Sequence, residues 1–443
     1  MKSVAFCTFG CRLNQYDTET IRTLLGEYGG WRSVPFREQA DVYVVNTCSV
    51  TARADATCRK AIRRIHRERP ESAIVVTGCY AQRAPTEIAE LPGVRLIVGA
   101  ADRGEIAEKM QYMPDGNLEI AVSPIADADE FVDVPITEMM EHSRAFVKVQ
   151  EGCNESCSFC IVPQTRGRSR SRKPESVLAQ ARELVAAGYM EVVLTGVHLG
   201  DYGLDLSGKR RLLADLVRDI LEIPQLQRFR LSSIEPASIS DAIIDLMASH
   251  DKFARHFHIP LQSASNAVLS RMKRRYTAED FSQLIQRISA AIPDCGIGTD
   301  VICGFPGETD DQFQETFDCL AKLPISFLHP FTYSVRPGSE AEHYSNQVPG
   351  DVKKRRTRAL KKLMRDKQRA FLERHVGKTL PVLLESSRRG GSSYLAGWTD
   401  NYLRVELGEG EADAGAGVEE VTIEALEGDR LRGKRLSRSV NLQ

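Results

Sequence analysis

Along the first hundred residues, short apolar runs alternate with longer stretches whose apolar positions recur every three or four residues. Ser3–Phe9, Asp41–Asn46, Ala73–Gly78 and Arg95–Val98 read as strands. Asn14–Tyr28, Thr51–Arg69 and Pro85–Leu91 carry the helical period, with Pro85 suited to a first turn. This alternation predicts an α/β unit with a parallel sheet and helices on its faces. It restarts at Ala145, with strands at Ala145–Glu151, Glu191–Thr195, Arg228–Leu231, Phe257–Pro260, Gly298–Cys303 and Ser326–Tyr333. Helical patterns at Pro174–Ala187, Leu212–Ile223, Ser240–Ser249, Ala278–Ala291 and Thr309–Leu323 separate them. Six strands with crossover helices predict a partly open (β/α) barrel. Residues 351–375 continue as one long amphipathic helix. Beyond Gly377, strand-like runs at Thr379–Glu385, Tyr394–Gly397, Tyr402–Glu406 and Glu419–Ala425 alternate with glycine-rich turns, the pattern of a small all-β barrel.

Charge adds the boundaries. Residues 110–143 hold eight acids, no Lys or Arg, and Pro114, Pro124 and Pro135, so an acidic linker is expected at 113–143. The units are then 1–112, 144–375 and 376–443. With 59 Lys+Arg against 60 Asp+Glu, the whole chain of 443 residues gives no nucleic-acid signal. Local patches do. Arg166, Arg168, Arg170, Arg172 and Lys173 fall in one acid-free run, residues 351–375 hold eleven basic residues against three acids, and the tail carries Arg430, Arg432, Lys434, Arg435 and Arg438. Against a neutral background these suggest a phosphate-tracking surface. Tyr394, Trp398 and Tyr402 suit either base stacking or barrel core. No apolar run approaches the roughly 20 residues of a membrane helix, and the amino-terminal run breaks too early for a signal core; a cytoplasmic protein is expected.

Eleven cysteines in such a chain argue for metal or redox chemistry over disulfides. Cys153, Cys157 and Cys160 form a C-x3-C-x2-C cluster just after the first barrel strand, on the face where barrel active sites are built. Three thiolates on a short loop can hold three irons of a [4Fe–4S] cube and leave the fourth open, whereas structural zinc wants four ligands. Cys11, Cys48 and Cys79 each follow a probable strand of the first sheet. In an open parallel sheet those ends share one edge, but spacing alone leaves a second cluster and three unrelated buried thiols equally open. The other five cysteines read as packing residues, Cys7 least clearly.

The cysteine loop, with Phe159 before its last ligand, resembles the S-adenosylmethionine site of the radical SAM superfamily. Gly10-Cys11-Arg12-Leu13-Asn14, Asn46-Thr47-Cys48-Ser49-Val50 and Thr77-Gly78-Cys79 resemble the cluster-binding segments of its methylthiotransferases. Ser232–Pro236, His258–Ser263 and Thr299–Thr309 resemble later strand-end motifs of that family, and the tail resembles its RNA-binding TRAM domain. The resemblance implies two [4Fe–4S] clusters, the second on Cys11, Cys48 and Cys79 and carrying sulfur, with S-adenosylmethionine as cosubstrate. Gly196, Val197, Ser233, Glu235 and Gln262 are the expected contacts of its methionine and ribose, and Ile302–Glu308 would flank its adenine. Gly196–Gly203 and Arg166–Arg172 resemble the branch acting on threonylcarbamoyladenosine in the tRNA anticodon loop; the isopentenyladenosine and ribosomal-protein branches are the alternatives. A reductant and a sulfur donor are implied but not identifiable. His198, His258 and His329 read as structural, and no catalytic residue is expected beyond the cluster ligands. A rival from another class is a non-catalytic iron–sulfur RNA-binding sensor.

Overall fold

The computed structural model describes residues 1–113, 116–136, 138–139, 144–207, 212–385, 395–408 and 417–436; Tyr394, Arg438 and most of the acidic loop before Val418 lie outside them. Six parallel strands form the first sheet: β1 (Lys2–Thr8), β2 (Trp31–Ser33), β3 (Val42–Thr47), β4 (Ala73–Gly78), β5 (Val94–Val98) and β6 (Glu119–Ala121), in the order β2-β1-β3-β4-β5-β6. Near-continuous Val and Ile fill β3 and β4 because both faces are covered by helices, so neither face needs polar positions. Thr8 pairs with Asn46, and Thr47 with Gly78. The carboxyl ends of β1, β3 and β4 therefore lie side by side, and the turns leaving them carry Cys11, Cys48 and Cys79.

The expected linker is not a free tether. Its β6 completes the first sheet against β5, and Ile136 and Met139 are buried in the core of the next unit. Its acidic, proline-rich composition fits edge pairing and turns as well as it fits a spacer.

The barrel strands are β7 (Ala145–Glu151), a short antiparallel β8 (Arg170–Ser171), β9 (Glu191–Gly196), β10 (Arg228–Leu231), β11 (His256–His258), β12 (Gly296–Cys303) and β13 (Phe327–Thr332). They form two sheets, β10-β9-β7-β8 and β11-β12-β13. Parallel bridges from Phe229 to Phe253 and from Ser233 to His258 join them into one open barrel of six parallel strands. The long helix, Gly350–Glu373, packs along β13. Part of its basic face is structural: Arg356 is buried on Glu308 at 2.6 Å, and Lys367 donates to the carbonyls of Ala321 and Leu323 where the preceding helix ends.

The carboxyl-terminal strands β14 (Thr379–Leu384), β15 (Ala396–Thr399), β16 (Arg404–Leu407), β17 (Val418–Glu427) and β18 (Arg430–Arg435) close into a barrel, β14-β15-β16-β18-β17. The basic tail is thus mostly its fifth strand, with Leu431 in the core between outward arginines. Arg228 donates to the carbonyls of Trp398 and Pro381, and Arg230 to those of Asp400 and Thr399, while Glu191 accepts from Arg230 at 2.7 Å. Burial would push the Glu191 carboxyl up, but Arg230, Arg228 and Arg144 outweigh it and hold the pKa at about 2. The small barrel is therefore clamped onto the large one.

Candidate active site

The loop after β7 gathers three thiols. The Cys160 amide donates to the Cys157 carbonyl at 3.0 Å, and the amides of Glu155 and Val162 donate to the sulfurs of Cys153 and Cys160 at 3.4 Å. Gly152 starts the turn at φ 75°, where a Cβ would meet the Arg168 carbonyl at 1.9 Å, so no other residue fits. Arg274 donates to the Cys157 sulfur at 3.1 Å and is itself paired with Glu235. Burial raises the thiol pKa of Cys153 to about 12, that of Cys160 to about 11, and pushes Cys157 up as well. Neighbouring sulfurs that resist ionisation alone are stabilised as thiolates once a cation sits among them. The donor set therefore suits iron.

Cys11, Cys48 and Cys79 also come together. A Cβ on Gly10 would lie 3.0 Å from the Cys48 sulfur, and the thiols of Cys11, Cys48 and Cys79 are close enough to act on one another electrostatically. Gly78 turns at φ 93°, where a side chain would lie 2.4 Å from the Thr47 carbonyl, so only glycine fits. Cys11 caps the 17-residue helix Arg12–Tyr28, whose positive end favours a thiolate there. Burial raises the Cys48 pKa to about 12, and the desolvating walls of the cavity into which Cys11 opens push its thiol up against the opposing charge of Arg166. This second set has the same donor chemistry as the first.

A buried ion network ties the two sets together. Asp17 and Glu151 receive Arg103 at 3.1 and 3.3 Å, Lys148 at 2.7 and 2.9 Å, and Arg166 at 3.0 and 2.6 Å. Three cations meet two carboxylates, so one positive charge is left over. Arg166 follows the first cysteine loop and feels the thiols of Cys79 and Cys11. The surplus charge sits where thiolate-bound iron would be anionic.

The candidate site itself is a cavity of about 960 Å³ bounded by all three units. Cys11 and Arg12 come from the first, Thr195, Gly196, Ser233 and His258 from the carboxyl ends of barrel strands and His329 from within β13, and Trp398, Tyr402, Arg404 and Arg430 from the small barrel. Of the expected S-adenosylmethionine contacts, Gly196 and Ser233 line it. Glu235 lies beside the cysteine loop on Arg274, and Val197 is half-buried next to Gly196. Gln262 is held at φ 67° between β11 and β12, its amide on the Asp300 carbonyl. Ile302 packs against the cluster that includes Phe305 and Phe159. Glu308 is a correction: its carboxylate accepts from the Gly304 amide and Arg356 inside the fold, so it locks the long helix in place instead of facing a nucleoside. His258 and His329 are cavity residues that the sequence does not reveal. Both lie against Asp300, at 3.0 and 3.3 Å, and together they hold its carboxyl at a pKa of about 2 against the effect of burial. Neither the strand-end position of His258 nor the isolated His329 in β13 marks this convergence in sequence.

The chain matches the Uncharacterized protein family UPF0004 over residues 3–99 and the Radical SAM superfamily over 147–320. It is 40% identical, over 91% of its length and 90% of the relative's, to the threonylcarbamoyladenosine tRNA methylthiotransferase MtaB of Bacillus subtilis. The Aquifex aeolicus protein of the same name is 38% identical over 91% and 98%. The chain belongs to the radical SAM methylthiotransferase family. The tRNA-2-methylthio-N(6)-dimethylallyladenosine synthase of Carboxydothermus hydrogenoformans, from another branch, is 34% identical over 90% and 91%. Among solved structures, the radical S-adenosylmethionine methyltransferase TsrM of Kitasatospora setae superimposes with a TM-score of 0.54 at 16% identity, covering 75% of each chain, which speaks to fold. Iron–sulfur and S-adenosylmethionine chemistry, with tRNA as substrate, follow from this membership. No helix among the described residues is long and apolar enough to cross a membrane.

In this methylthiotransferase the run Arg166–Lys173 is not exposed as a whole. Arg166 is locked in the ion network, Arg170 donates to the carbonyls of Ala128, Arg168 and Arg166, and Arg172 pairs with Asp133 at 2.6 Å and reaches Tyr16. All three are buried; Arg168 and Lys173 are exposed. The run has the composition of a solvated face, but Arg166 closes the helix Val162–Arg166, and Arg170 and Arg172 lie in and just after β8, where carboxylates and carbonyls from other segments receive them. On β18, Lys434 is exposed, Arg435 is half-buried, and Arg432 pairs with Glu406 and Glu427. Trp398 and Tyr402 stack at 4.8 Å on the cavity wall, so the barrel-core alternative does not hold for them.

Proposed function

We propose that this methylthiotransferase converts N6-threonylcarbamoyladenosine at position 37 of tRNA, beside the anticodon, to its 2-methylthio derivative with two molecules of S-adenosylmethionine. Cys153, Cys157 and Cys160 would hold one [4Fe–4S] cluster and Cys11, Cys48 and Cys79 a second. When bound, the first supplies the electron that splits S-adenosylmethionine and the second carries the sulfur. The chain's part is placement. Gly196 offers bare backbone to the cavity because a Cβ would press on Leu199 and Gln150, and the neighbouring Ser233 adds a hydroxyl. Glu235 orients Arg274, which orients the Cys157 sulfur. Arg166 balances charge beside Cys11 and Cys79. Exposed basic residues such as Arg168, Lys173, Lys434 and Arg404 can track phosphates of the anticodon stem-loop. The reductant and the sulfur donor come from outside the chain.

One observation carries this reading. Cys11 opens into the same cavity as Gly196 and Ser233, at the mouth of the barrel whose first loop bears the other cysteine set. Mass spectrometry of tRNA nucleosides from a deletion strain tests it. The 2-methylthio-threonylcarbamoyl nucleoside should vanish and its unthiolated precursor accumulate. Loss of the methylthio-isopentenyl nucleoside, or no change, would contradict the assignment. Reductive cleavage of S-adenosylmethionine by the anaerobically reconstituted protein would exclude the sensor alternative.

A further inference from the structure

Among the described residues, Arg12 is a cation without a carboxylate. Half-buried on the cavity wall, it has a single hydrogen-bond partner among the described residues, the Tyr402 hydroxyl at 2.9 Å, and its guanidinium lies 5.8–5.9 Å from the ring centres of Tyr402 and Phe146. Its surroundings add positive charge. Arg144 and Arg230 also lie over the Tyr402 ring, at 5.9 and 5.1 Å, and the carboxylate that serves them, Glu191, is shared with Arg228. One buried Arg144 nitrogen makes no hydrogen bond among the described residues. The cavity acids Glu406 and Asp429 pair with other cations, Glu406 with Arg430 and Arg432 and Asp429 with Arg430. Tyr402 is held at φ 70°, a conformation a tyrosine keeps only when its surroundings impose it. A strained residue is thus used to fix a guanidinium that faces open space. Partly desolvated and uncompensated cations are costly unless an anion arrives.

We infer that Arg12, fixed by Tyr402, is the subsite for the carboxylate of the substrate's N6 threonyl group, and so selects the carboxylated nucleoside over uncharged N6-substituted adenosines. The inference rests on the proposed function and deepens it. C2 and C6, the carbon that bears N6, flank N1 on one edge of adenine. The thiol set that would serve C2 and the charge that would hold the N6 substituent are likewise neighbours, at Cys11 and Arg12. Arg166 attends the thiols of Cys11 and Cys79, whereas the groups acting most strongly on Arg12 are Tyr402, Arg144 and Arg230; the two arginines face different anions.

The test compares synthetic anticodon stem-loops carrying threonylcarbamoyladenosine or its carboxyl methyl ester, measuring Kd by fluorescence anisotropy and kcat and KM for methylthiolation. A charged hydrogen-bonded contact of this kind is worth about tenfold or more. The wild-type protein should bind the acid at least tenfold more tightly than the ester, with the difference in KM. Arg12→Gln should bring the acid to the ester's level and leave the ester unchanged; Arg12→Lys should restore part of the gap. Tyr402→Phe, which only frees the guanidinium, should narrow it. Equal weakening of acid and ester by Arg12→Gln would mean a phosphate or structural contact and would overturn the inference, as would no discrimination by the wild type. Failure of the proposed function looks different: the wild type would methylthiolate the isopentenyl stem-loop and neither threonyl one.

Discussion

Cys153, Cys157 and Cys160 are supplied by a single loop, whereas Cys11, Cys48 and Cys79 arrive from three strand ends across the first sheet. The difference is one of what must fold first. The barrel loop needs Gly152, a few amide contacts and Arg274 to bring its sulfurs together. The other set exists only after β1, β3 and β4 pair in register, and its charge environment exists only after the barrel delivers Arg166. A metal site built from one loop tolerates change elsewhere, while one built from topology shares the stability of its domain and of the domain interface.

The largest expected effect comes from removing the local set. Replacing Cys153, Cys157 and Cys160 with alanine should halve an iron content of about eight per chain and abolish S-adenosylmethionine cleavage, by iron assay and 5′-deoxyadenosine detection. Full retention or total loss of iron would break the two-set account. Next, Arg166→Met breaks the buried network that joins the sets. We expect a loss of about 3 kcal/mol in denaturant unfolding, with the iron of the first domain lost more readily than that of the barrel; equal retention would show that the sets do not depend differently on docking.

Acid provides a comparable effect at the small barrel. Glu191 sits at about 2, below the usual 4.5, so its contribution is present above pH 4.5 and is lost as pH falls toward 2. Unfolding monitored across that window should show the wild type losing about 3 kcal/mol more than Glu191→Gln does. Equal slopes would remove the arginine clamp. Smallest are the exposed cations. Arg168→Ala and Lys434→Ala should change stability by no more than about 0.5 kcal/mol. The salt slope of tRNA binding should fall by about one for every phosphate that a variant leaves unneutralised. An unchanged slope takes that residue off the RNA path.

The periodicities make the parallel sheet, the barrel strands and the single-loop cysteine cluster readable in sequence, and parallel strands place Cys11, Cys48 and Cys79 on one edge; spacing alone leaves those three as a set or as unrelated thiols, and only the family resemblance joins them. Polar residues are harder to place. Arg166 and Arg168 stand in the same basic run, yet one is buried between domains and the other is exposed; the difference comes from Asp17 and Glu151, which are distant in the chain. Arg430–Arg435 reads as a charged tail because only Leu431 marks its inward face. Glu308 stands in a strand-end motif that suggests a ligand contact, but the long helix supplies Arg356 and takes the carboxylate out of the site. The cavity is not legible locally either, since Arg12 and Tyr402 meet only through the packing of the first and last units.

The central claim is that the two thiol sets serve different halves of one reaction. Cys79→Ala, reconstituted anaerobically and assayed with threonylcarbamoyl-modified tRNA, tests it most directly when 5′-deoxyadenosine and methylthiolated nucleoside are quantified from the same mixture and normalised to folded protein. Continued 5′-deoxyadenosine formation and no methylthiolated nucleoside are expected. If Cys79 merely packed in the core, its loss would cost about 1–2 kcal/mol of stability and leave the reaction running. Methylthiolation at near wild-type rate would contradict the account.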